Sequence, residues 1–482
     1  MEKKEFFIDI HCHPTMRIFH NKSKNGETNY WGENQNKYVN NLIGKTIVSL
    51  SDHISKVSQS NYYHCANGNV RVIFDSLYPV ERGFINFRRL AKIIFGRKNA
   101  EALVVNSSGI TQNQYRKYKA SQDYFKDLNE QYDFLIKNQG PSPCGKYNYK
   151  VVGGFKELNK WVNEDLGNIA IVVTIEGAHV FGSGTINSEK IEEKELENQL
   201  LKNIETIKKW EYPPFFITFA HHFWNQLCGH ASSLSPATKI TCDQKKGRDT
   251  GFTELGKKVL TALLSKDNGQ RILIDTRHMS AISRREYYQF IEDHNVKNPN
   301  DIIPSISSHT AVNGFNNLLE STKEKDNIFK IKKSKFYSWS INMSKEEVKY
   351  IHRSKGIIGI ILDKGRYCGK PTLKKINSIT DPSQKKEAFI QLILDNLFFY
   401  IESIGEKSAW DILTLGTDFD GVITHFDCYE NMSKIPELKK DLIFYLKETE
   451  YKKELWFDLE PEEIFYKIFH SNALAFLKRN FN

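Results

Sequence analysis

The sequence is poor in cysteine. Seven occur in 482 residues, at positions 12, 65, 144, 228, 242, 368 and 428. The count is odd and no two form a Cys-x-x-Cys pair. This excludes a disulfide framework and a zinc cluster built on cysteine, and it fits reduced thiols. Long hydrophobic runs are also missing. No stretch approaches the ~18 uncharged apolar residues that a membrane-spanning helix needs, so no membrane span is expected. The first apolar run, Phe6-Phe7-Ile8-Asp9-Ile10, is broken by Asp9. It falls short of the ~7–15-residue core of an export signal, and a cytoplasmic location is expected. Neither a Gly-x-Gly-x-x-Gly turn nor a Walker loop follows any apolar run, which weakens a doubly wound nucleotide-binding sheet. Charge of one sign is scarce too. The balance of 68 Lys and Arg against 58 Asp and Glu leaves +10, a mild value for this length. It calls for no nucleic-acid partner.

What is present is an ordinary globular composition, 40% hydrophobic and 26% charged. Such a balance excludes a wholly disordered chain, a collagen and a disulfide-dense mini-protein. A prior of about 150 residues per domain suggests roughly three domains. One α/β barrel with long insertions can, however, absorb more than about 400 residues.

Eight short apolar runs, rich in Ile, Val and Phe, recur along the chain. They are Phe6 to His13, Val70 to Leu77, Ile169 to Glu176, Phe215 to His222, Ile272 to His278, Ile302 to His309, Gly356 to Leu362 and Ile412 to Asp418. Near-continuous apolar runs suit strands buried on both faces, as in a parallel sheet. Helical patterns separate them. Thr253 to Ser265 sets Leu255, Val259, Leu260 and Leu263 on one stripe, with Gly269 beyond it as a stop. Lys385 to Ile404 precedes the eighth run, and a final helix starts at Pro461, a favoured first-turn position.

The fold class expected is therefore α/β, a (β/α)8 TIM-type barrel. It forms a single domain over residues 1–482, with insertions at approximately 14–69 and 85–165. These follow strands one and two, are polar in Asn21 to Asn41 and Gln112 to Tyr149, and should roof the active site. Ser188 to Lys209, dense in Glu and Lys, reads as a solvated helix face.

Most of the runs end in a group able to bind metal or move a proton. His11 and His13 share a face of the first strand while Cys12 points away. Glu176 ends the third run, His221 and His222 the fourth, His278 the fifth, His309 the sixth and Asp418 the eighth. In a barrel all of these converge on the C-terminal mouth, where active sites lie. Alone, each has an ordinary structural explanation: a strand accident, a hydrogen-bonded core histidine, or a turn at Asp418-Phe419-Asp420-Gly421. Together they describe a metal centre supplied by several strands.

The stretches that carry this pattern resemble the membrane (renal) dipeptidase family of the amidohydrolase superfamily. They are Gly251 to Ser280, Ile306 to Gly314 (ISSHTAVNG), Gly416 to Gly421 (GTDFDG), Val173 to His179 (VTIEGAH) and Glu462 to Leu477. The resemblance covers most of the chain outside the two insertions. It implies two divalent ions, zinc by preference, with His11 and His13 on one, His278 and His309 on the other, and Glu176 bridging both. It further implies a metal-bridged hydroxide attacking an amide carbonyl, with Asp418 as proton shuttle. A histidine after strand four would contact the substrate carbonyl. The preceding Ile-Thr-Phe-Ala favours His221, the spacing to Asn225 favours His222, and both stay open.

Two positions depart from the family. His13 stands where a carboxylate is usual, which removes one negative charge and bears on metal preference. Ile341, in Ser340-Ile341-Asn342-Met343-Ser344, stands where the family places an arginine for the substrate carboxylate, a bidentate task that Ile cannot perform. Arg277, beside His278, is a candidate substitute. The expected function is a metal-dependent hydrolase of a small amide or dipeptide-like substrate. The alternatives are a superfamily hydrolase of a lactone or phosphoester, and a catalytically silent metal-binding protein. The expected partner is a small amide or peptide substrate; a homodimer is left open.

Overall fold

A computed structural model of the chain describes residues 5–20, 29–32, 58–86, 101, 105, 110–234, 238–322 and 335–482. Most of the polar stretch Asn21 to Asn41, and parts of both expected insertions, lie outside these residues.

All eight apolar runs form strands. They are β1 (Phe7–Cys12), β2 (Val70–Leu77), β5 (Asn168–Glu176), β6 (Phe216–Thr218), β7 (Leu273–Asp275), β8 (Ile306–Thr310), β9 (Ile357–Ile360) and β10 (Leu413–Leu415). Each pairs in parallel with the next, and β10 returns to β1 through Asp9 and Leu415. The sheet is thus a closed eight-stranded parallel barrel with helices between its strands. Every residue of these strands is buried. That explains their nearly unbroken apolar character, because a barrel strand meets the packed interior on one face and the helical ring on the other.

Two additional strands, β3 (Gly140–Pro141) and β4 (Asn148–Val151), form an antiparallel hairpin, and β4 runs beside the first half of β5. They fall inside the second expected insertion. The reason is visible in the burial of Tyr149 and Val151 alternating with the half-buried Asn148 and Lys150, a strand period inside a polar stretch. The same insertion holds the helices Gln112–Ala120 and Tyr124–Lys137, which bury Tyr115, Tyr118, Tyr124, Leu128 and Leu135. A second small core joins Met16 after β1, Tyr78 and Val80 after β2, and Tyr115 and Tyr118. The segments that follow the first two strands therefore pack on one another over that side of the mouth.

The expected stripe of Leu255, Val259, Leu260 and Leu263 is the buried face of the helix Glu254–Leu264, capped by the Thr253 side chain. The Glu- and Lys-rich segment is a helix over Glu193–Lys208, and it is only half solvated. Leu196, Leu200, Ile204 and Ile207 recur at helical spacing and are buried. The last helix begins at Pro461, widens into a π-helical turn at Lys467–Ser471 and resumes at Asn472–Asn480. Side chains of this region tie the chain end to the bottom of the barrel. His470 Nδ1 meets the Phe6 carbonyl at 2.7 Å, and the Asn472 amide donates to the Trp410 and Leu413 carbonyls.

Candidate metal centre

Barrel closure brings strand ends that are far apart in sequence to one place. Glu176, at the end of β5, is the hub. Its Oε2 lies 3.1 Å from His13 Nε2 and 3.5 Å from His221 Nε2. Its Oε1 lies 3.5, 3.7 and 3.8 Å from the Nε2 atoms of His11, His278 and His309. Asp418 Oδ1 stands 3.7 Å from His11 Nε2 and 3.4 Å from His13 Nε2. His278 Nε2 and His309 Nε2 face each other at 3.3 Å. All seven residues are buried.

These separations fit metal ligation. Ligands about 2.0–2.2 Å from one tetrahedral cation lie about 3.3–3.5 Å from each other. The Nε2 atoms of His11 and His13 are buried with no hydrogen-bond partner, a costly state for a polar atom unless a ligand satisfies it. The far nitrogens are held as ligands require. His13 Nδ1 meets the Ser76 carbonyl at 2.9 Å, which fixes its proton there and turns the Nε2 lone pair inward. Ser308 Oγ donates to Asp275 Oδ2 at 2.6 Å and accepts from His309 Nδ1 at 2.8 Å. The same hydroxyl lies 3.2 Å from His11 Nδ1. Asp9 orders the chain between these groups. Its carboxylate accepts from the Thr417 hydroxyl and the backbone N–H groups of Thr417 and His11, joining the two ends of the chain across the β1–β10 seam.

The electrostatics favour a cation. Burial would raise the Glu176 pKa, but His221, His13 and His11 together hold it well below the carboxylate range. Burial disfavours charge on His13, yet Glu176 and Asp418 lift its pKa well above the usual value. A carboxylate field that favours a proton on His13 favours a divalent cation in the same place. His278 and His309 are pushed down, first by burial and then by neighbouring cationic groups, and neutral imidazole is the ligating form.

His221 and His222 separate clearly. His221 Nδ1 meets Glu81 Oε2 at 2.6 Å, and its Nε2 faces Glu176. His222 is half-buried and turns its Nδ1 to Ser233 Oγ at 2.6 Å. Glu81 also accepts from the backbone N–H groups of His222 and Phe223. Burial raises its pKa, but His221 and then other imidazoles bring it down to about 2. The same contact works in reverse on His221, whose pKa is raised because Glu176 and Glu81 outweigh its burial. On the outer side of Glu81, a cavity of about 130 Å³ is lined by Arg82, Tyr124, His179, Phe223 and Trp224 among others.

The backbone is strained where these groups are presented. His278 has φ 62° and Asp418 φ 60°, left-handed values uncommon for residues with a side chain. Such outliers cost about 1–3 kcal/mol each and cluster at functional sites. Gly177, after Glu176, has φ 95°, and a Cβ there would come within 2.3 Å of the His179 ring.

Ile341 is fully buried and its carbonyl accepts from Arg277 Nη1. Arg277 also donates to Thr310 Oγ1 at 2.9 Å. Burial, then Arg366, pushes its pKa down to about 9. Glu81, Ser308, Asp275, Asp9 and Arg366 are the residues of this region that the strand-end pattern does not reveal. Asp9 and Asp275 do stand two and three residues before the metal-ligand candidates His11 and His278, and Ser308 immediately precedes His309. Glu81 and Arg366 carry no such signal.

No protein-family model matches the chain, and no curated protein matches it by sequence. Solved structures do match in fold. The probable dipeptidase PvdM from Pseudomonas aeruginosa is 13% identical, with 98% of this chain and 95% of that chain covered and a TM-score of 0.54. A structure described as dipeptidase AC, a metallo peptidase of family M19, is 12% identical over 99% of each chain, with a TM-score of 0.49. A metallo peptidase from Rhodobacter sphaeroides, liganded with a phosphinate mimic of L-Ala-D-Ala, is 11% identical over 99% of this chain and 100% of that one, with a TM-score of 0.47. The chain has the fold of the probable dipeptidase, along the length of both proteins.

Proposed function

We propose that the chain is a metal-dependent hydrolase of a small amide or dipeptide-like substrate, of the membrane dipeptidase family. The observation that carries this reading is the convergence of five imidazoles, from four strand ends, on the single carboxylate of Glu176. The fold shared with a probable dipeptidase supports it.

In this proposal His11 and His13 would hold one divalent ion and His278 and His309 a second, with Glu176 within reach of both pairs; the nitrogen-rich donor set suits zinc. Bound there, the ions supply Lewis-acid polarisation of the scissile carbonyl and lower the pKa of water. The remaining steps belong to the side chains. Asp418 faces the same space as the ligand nitrogens, so its Oδ1 is placed to take a proton from the attacking water and return it to the leaving amine. His221 presents Nε2–H to the carbonyl oxygen, where negative charge develops. Glu81 accepts from Nδ1–H of His221, which holds the ring plane and, with Glu176, favours the imidazolium form that keeps a proton on Nε2. His222 turns its Nδ1 to Ser233, so the contact with the carbonyl is assigned to His221.

A hydrolysis screen with zinc or manganese, across L,L- and L,D-dipeptides, N-acyl amino acids and lactones, tests the proposal. Turnover of an amide that is lost in Asp418→Asn supports it. Turnover confined to lactones or phosphoesters contradicts the amide assignment, and no turnover by a metal-loaded protein contradicts the enzyme.

A further inference from the structure

Ile341 leaves the proposed hydrolase without its family's carboxylate-binding arginine, but the structure supplies two other guanidinium groups around the same segment. Arg277 is buried at 2% exposure. Its Nη1 is used by Thr310 Oγ1 and the Ile341 carbonyl, while Nε and Nη2 have no partner. Those two nitrogens form one edge of the guanidinium, the edge that binds a carboxylate through two parallel hydrogen bonds. Among the described residues Arg277 has no carboxylate within ion-pair distance. Its neighbour Arg284 differs, since it pairs with Glu347 at 2.9 Å.

Arg366 lies in the loop after β9, stacked over Trp339 with its guanidinium carbon 4.5 Å from the ring centre. Its Nη1 is buried without a partner. Its carboxylate neighbour, Asp363, is 3.5 Å from Nε, beyond a good hydrogen bond. The segment Trp339–Asn342 holds both arginines. Trp339 stacks on Arg366, the Ile341 carbonyl binds Arg277, and the Asn342 side chain donates to the Arg366 carbonyl at 2.7 Å. Arg277 is next to the metal-ligand candidate His278, and it binds Thr310, the neighbour of His309.

Buried N–H donors without an acceptor are expensive, and here Nε and Nη2 of Arg277 and Nη1 of Arg366 are three such donors beside the metal-ligand cluster. Exchange of a carboxylate for His13 removes a negative charge from the same mouth. We infer that Arg277 and Arg366 form the anion-binding wall of this site, and that the substrate is a carboxylate bound side-on by Nε and Nη2 of Arg277 with Nη1 of Arg366 closing over it. The inference rests on the proposed hydrolase reading only for its location.

The test is calorimetric titration of full-length, metal-loaded Asp418→Asn protein, in which turnover is blocked, with N-acetylglycine and with neutral N-acetylglycinamide. The acid is expected to bind about 10- to 100-fold more tightly. Arg366→Met should abolish that preference and Arg366→Lys restore part of it. Arg366 carries the test because Arg277 also holds the Ile341 carbonyl, and its removal can disturb the loop. Equal binding of acid and amide, a preference unchanged in Arg366→Met, or tighter binding of inorganic phosphate than of N-acetylglycine would overturn the assignment. Acid-selective binding by a protein that hydrolyses no amide upholds the arginine wall and contradicts the hydrolase. Hydrolysis of a dipeptide and its C-terminal amide at equal kcat/KM upholds the hydrolase and overturns the wall.

Discussion

His221 keeps Glu81 charged against burial, and Glu176 with Glu81 does the same for His221, which gives the pair a distinct pH signature. The Glu81 pKa falls from an ordinary 4.5 to about 2, so its contribution to stability is present above pH 4.5 and is lost as the pH drops toward 2. His221 is raised above its ordinary 6.5, so its contribution is present below 6.5 and is lost as the pH rises through the folded value. Both contributions coexist between about pH 4.5 and 6.5. Thermal melts of Glu81→Gln against the parent protein should differ most in that window, by at most about 3 kcal/mol, and the gap should close as the pH falls toward 2 and as it rises through the raised His221 value. A constant gap would place the Glu81 contribution in packing. Under the proposed function the same variant should lower kcat by about 10- to 100-fold with metal content intact, because only the orientation of His221 would be lost. Asp418→Asn should likewise keep its metal but lose about 10²–10⁴ in kcat, the range of a general acid–base group.

At the scale of elements, the barrel closes through very tight contacts between β8, β9 and β10. Gly416 follows β10, and a Cβ there would meet the Ser308 carbonyl oxygen at 1.8 Å and Gly359 Cα at 3.1 Å. Both atoms are backbone, so neither can swing aside. Gly416→Ala should destabilise the protein by about 1–3 kcal/mol or prevent folding. It should also loosen His309 through Ser308, which a faster loss of metal to a chelator would report.

The elements also show why some of the site could be read from sequence and some could not. His11, His13, Glu176, His278, His309 and Asp418 each close an apolar run, and strand ends of a barrel share one mouth whatever their distance along the chain. Their convergence therefore follows from the strand count alone. Glu81 lies beyond the end of β2, after Tyr78-Pro79-Val80, and reaches His221 only because the chain turns back over the mouth. Arg366 sits in a Lys-Gly-Arg turn, and no local pattern separates it from a surface cation. The choice between His221 and His222 depends on where Ser233 and Glu81 stand, and both belong to loops. The β3–β4 hairpin leaves little trace in the sequence because its period-2 alternation spans only four residues.

For the whole molecule, the described residues after β1 and β2 and the final helices lie at opposite ends of the barrel. Phe6 and His470 close the bottom, while Asp420 gathers the top. Its carboxylate accepts from the backbone of Gln59 and Ser60 and pairs with Arg17 at 2.7 Å. Residues after β1 are thus tied to the loop that carries Asp418. No helix among the described residues is long and apolar enough to cross a membrane.

The proposed ligands come from four of the eight barrel strands, β1, β5, β7 and β8, so metal bound there should stabilise the entire fold. Removal by a strong chelator should lower Tm by about 5 °C or more, and re-addition of zinc should restore it.

The central claim is that this mouth is a metal centre, and elemental mass spectrometry of the purified protein after zinc loading tests it most directly. The account predicts about two divalent ions per chain in the parent protein, and about one in a folded His278→Ala/His309→Ala variant that keeps His11, His13 and Glu176. A parent protein that retains no divalent ion, or a double variant that retains as many as the parent, would contradict it.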